Sequence, residues 1–150
     1  MPYEAINRSV IINAPVPLVW ETLTNTNQMK RWLLDTGIDV TTTWKVNSPI
    51  VIKGNLHGIE FENRGAVVKF EPNNILCYSH LSSLSQLPDE PANHVYLEFE
   101  LKKTGSQATL LFTASNFKTE IIKQHIDFYW RTTLGVIKHQ AEQLHLSPVV

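Results

Sequence analysis

The chain has 150 residues, of which 43% are hydrophobic and 18% are charged, and its formal net charge at pH 7 is −1. These proportions are typical of a globular protein, and the length suits one domain over residues 1–150 with a proper hydrophobic core. A net charge near zero and the lack of any basic run argue against a nucleic-acid-binding protein and against attraction to an anionic membrane.

Targeting and redox signals favour a cytoplasmic setting. The first residues show no charged stretch followed by an apolar stretch, so we expect no secretion signal. No segment approaches the roughly 18 consecutive apolar residues that a membrane span needs. The single cysteine, Cys77, excludes an internal disulfide and a zinc site built from several cysteines. We therefore expect a reduced, cytoplasmic protein without a membrane span.

The first part of the chain reads as one strand followed by two short helices. Residues 5–13 are rich in β-branched side chains and predict the strand. A proline-containing turn then precedes a short helix over residues 18–24. Asn25 tolerates left-handed backbone geometry and is expected to adopt it before a second helix over residues 27–34, which Gly37 closes.

From residue 38 the hydrophobic pattern changes to a period of two. Six strands are predicted, over residues 38–44, 49–54, 59–70, 75–82, 94–103 and 108–115. Short separators rich in asparagine, glycine and proline favour hairpins, so the sheet should be antiparallel. Gly65 is the candidate position for a bulge. Residues 82–93 form the one long irregular segment, predicted as a solvated loop, with a lid or rim over a site as the alternative.

The segment from residue 119 to residue 144 is predicted to be one long helix. Its apolar side chains recur every three or four residues and share one face: Ile122, Ile126, Trp130, Leu134, Ile137, Ala141 and Leu144. About 26 residues at a rise of roughly 1.5 Å each give a rod of roughly 39 Å. We therefore expect this helix to lie across the whole sheet.

A second row of residues lies roughly opposite that stripe on the same helix. Its members are Ile121, Phe128, Thr132, Gly135 and His139. A helix covered on one side only should be polar here, so an apolar row predicts a contact. The contact is either with the loop over residues 82–93 or with a second subunit, which makes a homodimer through the Ile121/Phe128/Gly135 face one expected partner.

Residue types that support catalysis or metal binding are present, but none has the spacing of a known site. No histidine has the helical partner and carboxylate of a zinc site, and the register between His80 and His94 is open. Cys77 lies mid-strand, where a small buried side chain is usual. Four acidic side chains alternate with apolar ones and should face solvent: Glu60, Glu62, Glu98 and Glu100. We therefore predict no catalytic residue, no metal and no cofactor.

The predicted order is one strand, two short helices, six strands and one long helix. This order resembles the helix-grip fold of the START-like (SRPBCC) superfamily. The resemblance implies an α+β fold in which a curved antiparallel sheet of about seven strands grips the C-terminal helix, with two short helices after the first strand.

Local motifs narrow the resemblance to one family. The matching segments are Ile12-Asn13-Ala14-Pro15 with Val19-Trp20 and Trp32, Trp44 to Ile50 with Gly54, Gly65-Ala66-Val67 with Glu71-Pro72 and Leu76-Cys77-Tyr78-Ser79, and Trp130 with Leu134 and Ile137. The first of these looks like the opening of the superfamily, and the others resemble the family related to the activator of the heat-shock chaperone ATPase. Asn47 stands where that family has glycine. Because asparagine is the next best residue at positive φ, the turn should survive.

A sheet that curls around a helix closes fully only if large side chains fill the interior. Polar-tipped aromatic residues on apolar faces suit a pocket that holds an oily molecule and orients it by a few hydrogen bonds. The candidate ligand-binding residues are Trp32, Tyr78, His80, Tyr96, Phe99, Phe112, Ile122, Ile126, Trp130 and Leu134. The alternative is a packed core without a void, and the superfamily resemblance favours the pocket.

Three functions remain open at this point. The first is non-catalytic binding of a small hydrophobic molecule, lipid-like or polycyclic aromatic, between sheet and helix. The second is a chaperone-interacting module that acts through its surface, as the family resemblance implies. The third is an enzyme of the cyclase, dehydratase or hydrolase kind that the superfamily sometimes hosts, with His80 and either Tyr78 or Tyr96 as its buried polar pair.

Overall fold

The computed structural model describes residues 3–33 and 38–146 of the chain. The strands are β1 (Ile6–Ile12), β2 (Asp39–Thr42), β3 (Pro49–Leu56), β4 (Ile59–Glu71), β5 (Ile75–Ser82), β6 (Val95–Thr104) and β7 (Gln107–Ser115), and the helices are α1 (Val16–Thr24), α2 (Thr26–Leu33) and α3 (Glu120–Leu146). The predicted strands and helices are all present, with bounds that differ by only a few residues. Gly37, which was expected to close the second helix, lies outside the described residues.

All seven strands form one antiparallel sheet in the order β1-β7-β6-β5-β4-β3-β2. Consecutive strands are neighbours from β2 to β7, as short hairpin connections require, while β1 pairs with β7 at the other end. The edge strands of the sheet are β1 and β2, and the helices α1 and α2 connect them along the chain. With α3 following the sheet, this is the α+β helix-grip fold, and the predicted fold class is confirmed.

Polar contacts hold α3 against the β1 edge of the sheet. The Arg8 guanidinium donates a hydrogen bond of 2.6 Å to the Asp127 carboxylate. Further along the helix, Lys138 Nζ donates to the Ile11 carbonyl at 2.8 Å and to the Glu142 carboxylate at 2.7 Å. These contacts fix how α3 lies along β1. Within the described residues, none of the helices is long and apolar enough to cross a membrane.

Trp130 lies at the centre of an aromatic cluster beneath α3. Its ring centroid is 5.0 Å from that of Phe112, 5.3 Å from that of Phe99 and 5.9 Å from that of Trp32. All four rings are buried. Aromatic pairs at such distances stabilise a core by about 0.5–1.5 kcal/mol beyond their area burial. Because the cluster joins α2, α3, β6 and β7, it positions the helix over the sheet.

The corner between α1 and α2 differs from the prediction at Asn25. The φ angle of Asn25 is −70°, so its backbone is extended rather than left-handed. Its side-chain oxygen accepts hydrogen bonds from the backbone N–H groups of Asn27 at 2.9 Å and Gln28 at 3.2 Å. The first N–H groups of a helix lack partners inside the helix. Asn25 therefore caps α2, which is a use of asparagine that the left-handed interpretation overlooked.

The backbones of β4 and β5 approach closely at Gly65. A Cβ atom there would lie 1.6 Å from the Ser79 carbonyl oxygen, so no side chain can be accommodated. The register shift itself falls between Val67 and Lys69. Gly65 is therefore the close-approach position next to the irregularity rather than the bulge residue.

The turn before β3 survives the substitution of glycine by asparagine, as expected. Asn47 has a φ angle of 72°, in the left-handed region. Its N–H donates to the Val67 carbonyl at 2.8 Å, and the Val67 N–H donates to the Ser48 carbonyl at 2.9 Å. These bonds tie the turn to β4.

Candidate ligand-binding cavity

The apolar stripe of α3 is buried along only part of its length. Ile122 and Ile126, in the first two turns, are half-buried. Trp130, Leu134 and Ile137 are only 3%, 4% and 0% exposed. The helix therefore packs tightly on the sheet from Trp130 onward, and its first turns leave a space between helix and sheet. That space is the candidate site.

The cavity in this space has a volume of about 640 Å³. Pockets for small molecules typically measure about 300–1,000 Å³. Its apolar walls are formed by Leu33, Ile38, Ile52, Phe61, Leu84, Leu97, Ile126, Phe128, Tyr129 and Trp130. Its other lining residues are Asn63, Tyr78, His80, Ser82 and His125. A mainly apolar cavity with a few polar groups is the usual chemistry of a small-molecule site.

Four of these polar residues lie together on the sheet, and we call them the polar row: Asn63, Tyr78, His80 and Ser82. Tyr78, His80 and Ser82 are alternate residues of β5, so their side chains share the face that meets the cavity. Asn63 of β4 is paired directly with Ser82. Its side-chain oxygen is buried and has no hydrogen-bond partner within the described residues. Leaving a buried acceptor unpaired typically costs about 1–3 kcal/mol of stability, so a hydrogen-bond donor that reached the Asn63 oxygen would be stabilising.

Three titratable groups in the cavity wall are uncharged at pH 7: Tyr78, His80 and Tyr129. Burial, with a smaller contribution from His94, lowers the pKa of His80 to about 4. Burial raises the pKa of Tyr129 to about 12 and raises the pKa of Tyr78 well above its ordinary value. The His80 ring is therefore neutral, with one N–H donor and one acceptor nitrogen, and both tyrosines keep their hydroxyl protons.

A second cavity of about 490 Å³ adjoins the first. The residues common to both walls are His80, Ser82, Leu84, His125 and Ile126. Leu87 of the loop and Ile122 of α3 line only the second cavity. The loop over residues 82–93 is irregular, as predicted, with short 3-10 turns at Ser83–Ser85 and Pro91–Asn93. It borders the candidate site, which was the alternative interpretation of its length.

The structure brings part of the predicted ligand-binding set to the cavity. Four of the predicted residues line it: Tyr78, His80, Ile126 and Trp130. Ile122 lines the adjoining cavity instead. Four more are buried in the core and line neither cavity: Trp32, Phe99, Phe112 and Leu134. The three aromatic residues among them pack against Trp130 of the cavity wall. A direct role of any of the predicted residues in binding stays a prediction.

Tyr96 lies on the opposite face of the sheet from the cavity. Successive residues of a strand point to opposite faces, and Leu97 is the neighbour that lines the cavity. Tyr96 lines an outer groove instead. The structure therefore does not bring Tyr96 together with His80, whereas Tyr78 and His80 do share one cavity.

His80 of β5 and His94, the residue before β6, also point to opposite faces of the sheet. His80 is paired with Val95, so the preceding His94 points to the other face of the sheet. Among the described residues, no group of three or more histidine, cysteine, aspartate or glutamate side chains is placed to hold a metal ion. Cys77 is buried, and burial raises the pKa of its thiol to about 11. A thiol with such a pKa is a poor nucleophile at pH 7.

The cavity walls supplied by β4 and α2 were not predicted from the sequence. Phe61 and Asn63 of β4 line the cavity. They are alternate residues of one predicted strand, so an aromatic and a polar amide on one face was the available signal. Tyr129 was also missed, because it lies beside the apolar stripe rather than within it. Its hydroxyl donates to the Leu33 carbonyl and so links α3 to α2.

Comparisons with known proteins identify relatives of this chain. The sequence pattern of one family matches residues 13–142, and that family is described as Activator of Hsp90 ATPase homolog 1-like protein. No protein with a curated function matches the chain in sequence.

Solved structures show the same fold. A protein from Cytophaga hutchinsonii is 32% identical, with a TM-score of 0.79 over 94% of this chain and 95% of that one. A protein from Chromobacterium violaceum has a TM-score of 0.77 at 14% identity, covering 93% and 99% of the two chains. The Aha1 dimer from Colwellia psychrerythraea has a TM-score of 0.72 at 24% identity, covering 93% and 97%. The family pattern and the first of these relatives, on a helix-grip fold, show that the chain belongs to the family of Activator of Hsp90 ATPase homolog 1-like proteins within the START-like superfamily.

Proposed function

We propose that this protein binds a small, mainly apolar molecule, lipid-like or polycyclic aromatic, in the cavity between the sheet and α3. The observation that carries the proposal is a space of about 640 Å³ with mainly apolar walls. Protein interiors are normally packed to the density of organic crystals, so the side chains around such a space lack contacts on one side. A bound apolar molecule would supply those contacts.

Aromatic side chains supply much of the cavity wall, and their positions are fixed by packing. Trp130 stacks on Phe112 with centroids 5.0 Å apart, and Tyr129 meets Trp130 edge-on at 5.3 Å. Rings held in this way form a preformed surface, so little side-chain entropy would be lost when a ligand binds. Their flat faces favour a ligand with a planar ring or an extended hydrocarbon body.

Native mass spectrometry of the purified protein tests the proposal. We expect a reproducible extra mass that is lost on denaturation, and analysis of the released molecule would identify it. If the purified protein carries no extra mass, incubation with a panel of lipids and polycyclic aromatics should produce a defined mass shift. A protein that stays unshifted against the whole panel would contradict the proposal.

A cavity-filling variant with a matched control locates the binding. Ile126 lines both cavities, so Ile126→Trp replaces an aliphatic side chain by a bulky indole ring that fills the space. This variant should abolish the mass shift. Val136 lies on the same helix, is 41% exposed and lines neither cavity, so Val136→Trp should bind like the unaltered protein. Circular dichroism would establish that both variants are folded. Equal binding by the Ile126 variant and the parent would place the ligand elsewhere.

Family membership supports a second candidate function, a module that acts on a heat-shock chaperone through its surface. The family description names the activator of the Hsp90 ATPase. The test is the ATPase rate of a bacterial Hsp90 with increasing amounts of this protein. Stimulation that persists in Ile126→Trp, which fills the cavity, would separate this function from ligand binding. An unchanged ATPase rate at every concentration would contradict it.

The outer row of α3 supports a homodimer as a partner state. Ile121 and Phe128 are 66% and 67% exposed, although Phe128 also borders the main cavity and Ile121 borders the second cavity beside the loop over residues 82–93. Gly135 is also exposed, and a Cβ atom there would meet nothing within 4 Å, so another chain could approach the helix closely. Exposed apolar side chains grouped on one helix face favour a protein contact over plain solvent exposure. The related Aha1 structure from Colwellia psychrerythraea is a dimer.

A further inference from the structure

We propose that the ligand is uncharged and carries a hydroxyl group that hydrogen bonds to the polar row at Tyr78, His80 and Asn63. The inference rests on the proposed binding function and specifies the chemistry of the molecule that the cavity accepts. The apolar body of this ligand would lie against Trp130 and Leu97, which line the same cavity.

Part of the hydrogen-bonding capacity of the polar row is not used by the protein itself. Within the described residues, the Asn63 side-chain oxygen is buried without a hydrogen-bond partner, and Tyr78 and His80 line the same cavity. A cavity tyrosine outside the row has a protein partner, because the Tyr129 hydroxyl donates to the Leu33 carbonyl. Buried polar groups are normally paired. The unpaired Asn63 oxygen, in a cavity wall that also contains Tyr78 and His80, therefore points to a partner that comes with the ligand.

The fourth member of the row differs from the other three. The Ser82 hydroxyl oxygen accepts a hydrogen bond of 3.2 Å from the Leu84 N–H and so caps the short 3-10 turn of the loop. It is therefore partly committed to the loop. The recognition of a ligand falls to Tyr78, His80 and Asn63.

The charges around the cavity favour an uncharged ligand group. No lysine, arginine, aspartate or glutamate lines the cavity among the residues that the structure describes. A carboxylate or phosphate beside the polar row would lose its water without gaining a cation, which is strongly disfavoured. His125 also lines the cavity, but it is exposed on the helix side and does not belong to the row.

The polar row matches a hydroxyl group in both hydrogen-bonding directions. A neutral histidine ring offers one donor and one acceptor, and a tyrosine hydroxyl and an asparagine carboxamide each offer both. A hydroxyl group also donates once and accepts, so it can satisfy His80 and a neighbour at the same time. An ether or a halogen lacks the proton that the unpaired Asn63 oxygen requires.

Isothermal titration calorimetry at pH 7 with a matched set of naphthalenes tests the inference. The compounds are 2-naphthol, naphthalene and 2-naphthoate, which share one ring system and differ in the polar group. We expect 2-naphthol to bind about tenfold more tightly than naphthalene, the effect of one or two neutral hydrogen bonds. We expect 2-naphthoate to bind most weakly. The pair 1-decanol and decanoate repeats the comparison on a flexible chain.

Variants of the row separate recognition from simple burial. His80→Leu should bring the affinities for 2-naphthol and naphthalene within about twofold of each other while naphthalene binding is retained. Asn63→Leu should reduce the preference in the same direction. His139→Leu is the matched control, because His139 is exposed on α3 and lines neither cavity. It should leave the affinity ratio unchanged.

The outcomes distinguish failure of this inference from failure of the binding function. Equal affinities for 2-naphthol and naphthalene, or tightest binding by 2-naphthoate, would overturn the hydroxyl inference while the cavity still binds. A preference for 2-naphthol that survives His80→Leu and Asn63→Leu together would also overturn it. If none of the five compounds binds, and no member of the lipid and polycyclic aromatic panel shifts the mass of the protein, the binding function is overturned and this inference with it.

Discussion

The Nε2 atom of His94 lies 2.7 Å from the Asp89 carboxylate, and this contact joins the loop over residues 82–93 to the outer face of the sheet. The other ring nitrogen, Nδ1, lies 3.1 Å from the Ser79 hydroxyl. Ser79 in turn accepts a hydrogen bond of 3.0 Å from the Ala66 N–H on β4. These contacts therefore hold the loop that borders the cavity to the outer face of the sheet, beside the close approach of β4 and β5 at Gly65.

His94→Ala should loosen this loop and destabilise the fold. Because His94 is buried and the Ser79 hydroxyl would lose one of its two partners, we expect a loss of about 1–3 kcal/mol in the free energy of unfolding. Hydrogen exchange followed by mass spectrometry should show faster exchange over residues 83–93 than in the parent protein. His139→Ala, on the exposed face of α3, is the control. Unchanged exchange in the loop of His94→Ala would show that the histidine does not fasten it.

Trp130→Ala should be among the most destabilising single substitutions in the chain. The ring is 3% exposed and contacts the rings of Phe99 and Phe112, so its removal leaves a large void. Loss of a buried tryptophan side chain typically costs about 3–5 kcal/mol. Urea unfolding of the variant measures this loss.

Phe128→Ala is the matched control for that measurement. It removes an aromatic ring from the same helix, but Phe128 is 67% exposed, so the loss should stay within about 0.5 kcal/mol. Similar losses for the two variants would mean that the aromatic cluster does not hold α3 on the sheet.

The architecture was readable from the sequence because each element has a clear hydrophobic period. In β6, Val95, Leu97, Phe99 and Leu101 are all buried, as the alternation predicted. The α3 stripe was equally clear, and the pairing of most consecutive strands follows from the short connections between them. These patterns indicate which side of each strand or helix faces inward.

The cavity could not be predicted from the sequence to the same degree, because an inward-facing residue can contact either another side chain or a void. Ile126 and Leu134 belong to one apolar stripe, yet Ile126 lines the cavity and Leu134 is packed at 4% exposure. The difference depends on how far each end of α3 lies from the sheet, which is set by contacts distant in sequence. The corner at Asn25 was misread for a related reason, because the capping need of α2 outweighed local backbone preference.

Stability should depend on pH through His80. Its pKa is about 4 in the folded protein and 6.5 for an ordinary histidine, so the unfolded chain binds the proton more readily between these values. The contribution of the neutral ring is therefore fully present above pH 6.5 and is lost as the pH falls toward 4. Urea unfolding across this range should show a slope that His80→Leu reduces and His139→Leu leaves unchanged. The same slope in all three proteins would show that His80 is not the responsible group.

The outer row of α3 should control the oligomeric state. If two copies associate through this face, Phe128→Asp places a charge at an apolar contact and should convert the dimer to a monomer, since an unpaired charge in an interface is strongly disfavoured. Size-exclusion chromatography with light scattering measures the mass. Ile11→Asp is the matched control, because Ile11 is a similarly exposed apolar residue on β1, at 53% against 67% for Phe128. A dimer that persists in the Phe128 variant, or one that the Ile11 variant also disrupts, would assign the interface to another surface.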